Sequence, residues 1–415
     1  MLFIYNAGIK IYKDLIFLYS FFNKKAKLWI EGRHHQKAKI SAFNTKRKCI
    51  WFHFASLGEF EQGRPVLEKL KDMYPDKSVV ITFFSPSGYE IRKNYPLAEL
   101  VLYLPIDTAS NAKDFIDAIN PAAVIFTKYE YWFHYFKELH HRNIPLVIIS
   151  AIFRDSQPFF KWYGQLHRQM LSFVSHFFVQ DEKSKKLLEK QGLKNVTVSG
   201  DTRFDRVSEN SKHPKKLPLV EGFCRNSSVL ICGSTWPDDE KLLAALAAVY
   251  SSWKFIIAPH EISSNKISSL ESLFPGRCVT YSRLQAGGEQ MNALKHNTQV
   301  LIIDNIGILS SLYQYGDAAY IGGGFGAGIH NTLEAAAFGL PVIFGPNYQK
   351  FREARDLINI GAGASVKNYS ELEQRFSRLL DESYRKSAGE LAHTYVDGAT
   401  GASRIIIDYL KQVLK

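Results

Sequence analysis

The chain has 415 residues, 46% hydrophobic and 13% aromatic, which excludes a disordered protein and leaves room for two or three domains, each with its own core. The net charge is +12, yet residues 1–48 alone hold eleven Lys or Arg (Lys10, Lys13, Lys24, Lys25, Lys27, Arg33, Lys37, Lys39, Lys46, Arg47, Lys48) against Asp14 and Glu31, a balance of +9, so the rest is nearly neutral. Cys49, Cys224, Cys232 and Cys278 are scattered without C-x-x-C spacing, which argues against a zinc site or a disulfide framework and for a reducing compartment.

Residues 2–22 are mostly Ile, Leu, Phe and Tyr, with Asn6, Lys10, Lys13 and Asp14 on one side of a helix. Three charges near its middle count against a membrane span. No charged segment precedes the apolar run and no small-residue cleavage site follows it, so a secretory signal fits poorly as well. The pattern predicts an amphipathic helix over residues 1–24, lying in the plane of an anionic membrane surface with its lysines at the headgroups; a helix docked on the protein's own core is the alternative. Basic charge placed beside such a run points to a membrane and away from nucleic acid.

Strand-length apolar runs then follow at residues 49–54, 78–83, 100–104, 122–126, 145–150, 176–179 and 196–199, and again at 229–232, 255–258, 278–281, 300–303, 318–321, 341–344 and 362–366. Helix-length segments separate most of them, which predicts parallel sheets covered on both faces. Residues 208–220 are polar and broken by prolines and read as a linker. The expected organisation is therefore a first Rossmann-like domain over 25–207, a second over 221–395 and a C-terminal helix over 396–415. Ligands are expected at the carboxyl ends of both sheets, in a cleft between the domains.

Two segments carry chemistry. After the first strand, His53-Phe-Ala-Ser56-Leu-Gly58-Glu59 sets Glu59 on a turn at the cleft mouth, where a carboxylate could remove the proton of an attacking hydroxyl; a helix-start charge favoured by the dipole is the plain alternative. In the second half, the strand 318–321 runs into five glycines within seven positions. A helix carrying His330, Asn331 and Glu334 is expected next, its amides toward a phosphate and Glu334 toward a ribose. Asp238-Asp239 reads as the acidic first turn of a helix over 237–250, capped near Ser234 or Thr235.

Ser56-Leu-Gly58-Glu59, Tyr129-Glu130-Tyr-Trp132, Gly200-Asp-Thr-Arg203-Phe-Asp205 and Gly-x-Gly-x-His330-Asn331-x-Leu-Glu334-Ala occur in this order. Together they resemble the motif series of the 3-deoxy-D-manno-octulosonic acid (Kdo) transferases of lipid A assembly. That resemblance implies a GT-B fold of two Rossmann-like domains facing across a cleft. The enzyme it implies moves Kdo from CMP-Kdo to lipid IVA with inversion, on the cytoplasmic face of the inner membrane, as a peripheral or monotopic protein. It casts Glu59 as general base, with Glu130 and Arg203 assisting the transition state; a buried pair with a neighbour such as Lys128 is the alternative for Glu130. CMP contacts are implied at Pro259 and His260, at Ile306, Gly307 and Ile308, and at Asn331, Thr332, Leu333 and Glu334. His260 stands where arginine is common, Ile308 where glutamate is usual, and Lys128 where a carboxylate often precedes the Glu-x-Trp. No cofactor and no metal is required by this reading. The competing readings are another GT-B nucleotide-sugar transferase or epimerase at the membrane surface, and a membrane-surface binding protein without activity.

Overall fold

The computed structural model describes residues 1–34, 36–43, 48–287 and 298–414, with the backbone alone at Lys37. Lys46 and Arg47 of the basic segment, and the Lys37 side chain, lie outside the described residues. The chain divides into two compact units, Met1–Arg206 with Thr400–Lys415, and Val207–Ala399.

In the first unit, β1 (Cys49–Phe54), β2 (Val79–Phe83), β3 (Leu100–Tyr103), β4 (Pro121–Thr127), β5 (Leu146–Ala151), β6 (His176–Val179) and β7 (Val196–Val198) form a seven-stranded sheet in the order β3-β2-β1-β4-β5-β6-β7. Every pairing is parallel. The strands are apolar on both faces because helices cover both, as a sheet built from crossovers requires. Trp51, Val80, Val124 and Phe126 face one core, under the helices Ala109–Ile119 and Phe133–His141. Ile50, Phe52, Ile81 and Ile125 alternate with them and face the other, under the helix Leu57–Met73.

The second unit repeats the plan with β8 (Ser228–Thr235), β9 (Trp253–Pro259), β10 (Cys278–Thr280), β11 (Val300–Ile302), β12 (Ala318–Ile321), β13 (Val342–Phe344) and β14 (Gly363–Ser365), ordered β10-β11-β9-β8-β12-β13-β14 and again parallel throughout. The order reverses between β1 and β4 in the first sheet and between β8 and β12 in the second, where β11 is also inserted between β9 and β10. Loops leaving such neighbouring strands part to opposite faces and open a crevice at the carboxyl edge.

Three features differ from the sequence expectation. Residues 208–212 belong to the helix Thr202–Lys212, and the helix Pro218–Cys224 follows, so most of the expected linker is helical. Its prolines do not interrupt these helices: Pro218 occupies the first helical position, where no amide partner is lost. The C-terminal segment is two helices, Glu382–Gly398 and Ala402–Val413, and the second belongs to the first unit. There Ile406, Ile407 and Leu410 are buried in the core beside Ile50 and Phe52, each contributing roughly 1.5–3 kcal/mol. Asp205 fixes the start of that helix by accepting from the Gly401 and Ser403 amides at 2.6 and 2.7 Å.

The third is the N-terminal helix, Leu2–Tyr19. One of its faces is docked on the first unit, as the own-core alternative has it, and another is exposed. Tyr5 donates to Asp107 Oδ2 at 2.5 Å and accepts from the Phe133 amide at 3.2 Å, and Asn6 Oδ1 lies 2.7 Å from His134 Nε2. Tyr12 stacks on Phe84 further along. Away from these contacts, Ile4, Ile11, Leu15 and Leu18 are exposed and recur at helical spacing as one open apolar face. Among the described residues no helix is long and apolar enough to cross a membrane.

Candidate functional site

In the first unit the site stands at the switch between β1 and β4. Ser56 stands at the N-cap position of the helix Leu57–Met73, so Glu59 lies in its first turn and not on the expected turn. Glu59 Oε2 accepts from the Ala55 amide at 2.6 Å. The side chain is only 9% exposed, and burial, reinforced by Glu130 and opposed by that amide and by Lys128, pushes its carboxyl up to about 7. A carboxyl raised toward neutrality is a stronger base than an ordinary one, which suits proton removal.

Glu130 follows β4, across the switch. Its Oε2 accepts from Trp132 Nε1 at 2.9 Å and lies 3.4 Å from His53 Nε2 on β1. These contacts orient the carboxylate. Lys128 itself turns the chain out of β4 with φ 61°, a left-handed conformation uncommon for a lysine and held by the surrounding strand ends.

Arg203 opens the helix that follows β7. Asp201 holds it through Nε and Nη2, both 2.8 Å from Oδ2, and accepts the Arg203 amide on Oδ1 at 2.9 Å. Gln62, on the same helix as Glu59, donates to Asp201 Oδ1 at 2.5 Å. Burial would raise the Asp201 carboxyl, but Arg203, Lys128 and these bonds outweigh it and hold it below the usual range. Asp201, inside the Gly200-Asp-Thr-Arg203 motif, is thus a functional residue that the motif alone does not single out. The signal was there: an acid two residues before an arginine at a helix start.

The second unit gathers its own residues at the switch between β8 and β12. The loop after β12 turns on Gly323 at φ 90°, and Gly324 packs so close to Gly345 that a Cβ would come within 2.6 Å of its Cα. Asp239 pins this loop, accepting on Oδ2 from the amides of Gly323 and Trp236, each at 2.9 Å, and on Oδ1 from Tyr320 at 2.8 Å. The helix Pro237–Val249 is thus capped at Trp236 and not at Ser234 or Thr235; Ser234, at φ 54°, bends the strand end instead.

His330 and Asn331 also differ from expectation, because the helix begins only at Leu333 and runs to Ala337. Both residues therefore lie in the loop. Asn331 accepts from the Leu333 amide at 3.1 Å and donates to Glu334 Oε1 at 3.0 Å, fixing that carboxylate. His260, just past β9, lies nearly parallel to both Trp236 and His330, with ring centroids 4.8 and 4.4 Å away. Trp236 Nε1 donates to His330 Nε2 at 3.1 Å. Burial, then the neighbouring His260, pushes His330 down to about 4, so it is neutral and accepts this bond. Trp236 was missed by the sequence reading, since nothing in the linear order brings it to His330.

Thr332 is fully buried and, among the described residues, its Oγ1 has no hydrogen-bond partner. Leu333 is core. Ile306, Gly307 and Ile308 lie in the loop after β11, where Ile306 is 85% exposed and Gly307 turns at φ 94°. Since β11, β9, β8 and β12 are consecutive in the sheet, the loops carrying Ile306, His260, Trp236 and His330 leave its carboxyl edge side by side. Stacked rings and a glycine loop suit a base and a phosphate, and the buried Glu59 carboxylate suits proton removal from a hydroxyl.

Residues 31–206 match the model described as 3-Deoxy-D-manno-octulosonic-acid transferase (kdotransferase). The chain is similar to the 3-deoxy-D-manno-octulosonic acid transferase of Haemophilus influenzae, 28% identical over 88% of this chain and 87% of that protein. It is likewise 28% identical to the enzyme of the same name from Chlamydophila psittaci, over 81% of this chain and 78% of the other. Among solved structures, UDP-GlcNAc 2-epimerase from Neisseria meningitidis superposes with TM-score 0.60 at 18% identity, over 88% of this chain and 99% of that one. A glycosyltransferase from Rickettsia africae gives 0.56 at 17%, over 89% and 100%. At such identities these two speak for the fold alone.

Proposed function

We propose that the chain belongs to the 3-deoxy-D-manno-octulosonic acid (Kdo) transferase family and that its acceptor is lipid IVA, met at the cytoplasmic face of the inner membrane. It is a glycosyltransferase that transfers Kdo in lipopolysaccharide biosynthesis, with CMP-Kdo as donor and a lipid as acceptor.

In the proposed reaction, an acceptor hydroxyl oxygen attacks the anomeric carbon of Kdo with inversion. Its proton passes to Glu59, and the bond from that carbon to the CMP phosphate oxygen breaks with its electron pair going to CMP. The observation that carries this reading is the buried Glu59, raised to about 7 beside Glu130 at the switch of the first sheet. Glu130 and Arg203 stabilise the charge that develops, the guanidinium facing a phosphate or the Kdo carboxylate. Pro259, His260, the loop 306–308, Asn331 and Glu334 hold the CMP moiety, with the Thr332 and Leu333 side chains buried behind them, and no metal or cofactor takes part.

The N-terminal helix brings the enzyme to its lipid. Its open apolar face of Ile4, Ile11, Leu15 and Leu18 enters the interface while Lys10 and Lys13 meet anionic headgroups.

The test incubates the full chain with CMP-Kdo and lipid IVA in EDTA and follows the lipid by mass spectrometry. A Kdo increment, lost in Glu59→Ala while CMP still binds, supports the reading. No increment from a folded, CMP-binding wild type removes the acceptor assignment, and an undiminished Glu59→Ala removes the base.

A further inference from the structure

His53 stands on β1 with its side chain wholly buried. A buried imidazole needs partners at both ring nitrogens, and it has them. Nδ1 lies 2.8 Å from Thr82 Oγ1 on β2, and Nε2 lies 3.4 Å from Glu130 Oε2 beyond β4.

Counting protons fixes the direction of these bonds. Trp51 Nε1, a donor only, lies 2.8 Å from the same Thr82 oxygen. Thr82 has one proton to give, and its acceptors are His53 Nδ1 at 2.8 Å and the Phe52 carbonyl at 3.4 Å. If Nδ1 carried the ring proton, Thr82 would have to donate to the farther carbonyl, and the bare lone pair of Nε2 would face a carboxylate oxygen. With the proton on Nε2, Trp51 donates to Thr82, Thr82 to Nδ1, and Nε2 to Glu130. Burial, the largest influence, lowers the proton affinity of the ring, and Arg33 adds to it against the pull of Glu130, so the ring is neutral.

We propose that His53 is a positioning residue for the transfer: Trp51 and Thr82 lock it as the neutral Nε2–H tautomer, and in that form it orients the Glu130 carboxylate. Trp132 Nε1 donates to the same Oε2 at 2.9 Å, so both donors converge on one oxygen and leave Oε1 to meet a ligand. The inference rests on the assignment of Glu130 to the reaction.

The test combines a spectrum with a mutant cycle, both on the full chain. With 15N-labelled histidine, the His53 ring, identified by its loss in His53→Gln, is expected to show a protonated Nε2 and a bare Nδ1, unchanged across neutral pH. Thr82→Val is expected to abolish this pattern and Thr82→Ser to keep it. In kinetics, His53→Leu is expected to lower kcat by about tenfold to about a hundredfold with the KM for CMP-Kdo unchanged, the scale of a misplaced catalytic group. His53→Gln, whose amide N–H reaches the place of Nε2, is expected to recover part of that loss. In a Glu130→Gln background His53→Leu is expected to add little. A protonated Nδ1, or a full further loss in the Glu130→Gln background, overturns the inference. A Glu130→Gln enzyme with unchanged kcat overturns the role of Glu130 itself, and the inference falls with it. A slowed Glu130→Gln beside an unaffected His53→Leu overturns the positioning alone.

Discussion

Glu59 Oε2 lies 2.6 Å from the Ala55 amide, one helical turn back at the end of β1, so the carboxylate is tethered to the strand from which its own helix springs. This bond favours the charged form, yet burial dominates and the carboxyl rises to about 7. As a general base it must be deprotonated, so kcat/KM is expected to climb as pH rises through about 7 and then level. Glu59→Gln is expected to cost about 100-fold to 10,000-fold in kcat and to flatten that limb. A pH–rate profile of both forms checks this.

The same shift affects stability with the opposite sense. A carboxyl that binds its proton more tightly folded than unfolded favours the folded state fully below its unfolded value, and that contribution is lost as pH rises through about 7. Glu59→Gln is therefore expected to melt higher than wild type in mild alkali, by up to roughly 3 kcal/mol, and much like it in mild acid. Thermal denaturation at the two pH values reads the difference; equal melting in alkali would contradict it.

Asp201 holds Arg203 by two donors on one oxygen. Asp201→Asn keeps the shape and removes the charge, so kcat is expected to fall about tenfold or more while the fold loses about 1–3 kcal/mol. The depressed Asp201 carboxyl contributes stability above its unfolded value, lost as pH falls through its folded one, so the variant is expected to approach wild type in acid. Arg203→Lys, which loses the planar fork, is expected to lower kcat without that stability change.

Asp238 and Asp239 are neighbours with opposite fates. Asp239 is buried and receives two amides and a hydroxyl, whereas Asp238 pairs with Lys241 at the surface. Asp239→Ala is expected to destabilise the second unit by about 1–3 kcal/mol for each donor left buried and unpaired, and to weaken CMP binding. Asp238→Ala is expected to stay within about 0.5 kcal/mol of wild type. Calorimetric melting and CMP titration separate the two.

The faces of the N-terminal helix are separable too. Ile11→Glu with Leu15→Glu, both positions 58% exposed, is expected to reduce sedimentation with anionic vesicles and leave the melting temperature unchanged. Tyr5→Phe, which takes a partner from the buried Asp107, is expected to lower the melting temperature and spare vesicle binding. The reverse pattern would contradict the assignment of faces.

By itself the sequence determined the alternation of strands and helices, because buried parallel strands are apolar without interruption and the fourteen runs stand out against amphipathic neighbours. It also singled out Glu59, Glu130, Arg203 and the glycine loop, since each sits beside a strand end in a recognisable motif. Tertiary structure decided what these residues do to one another. Only strand order brings β1 beside β4, and so His53 and the donors behind it to Glu130, from positions 77 residues apart. The return of the last helix to the first unit, the stacking of Trp236, His260 and His330, and the division of the N-terminal helix into a docked and an open face were equally hidden. Hydrophobic period is a local property carried by every few residues, whereas hydrogen bonds and ring contacts between distant segments depend on which strands become neighbours, and no local pattern encodes that.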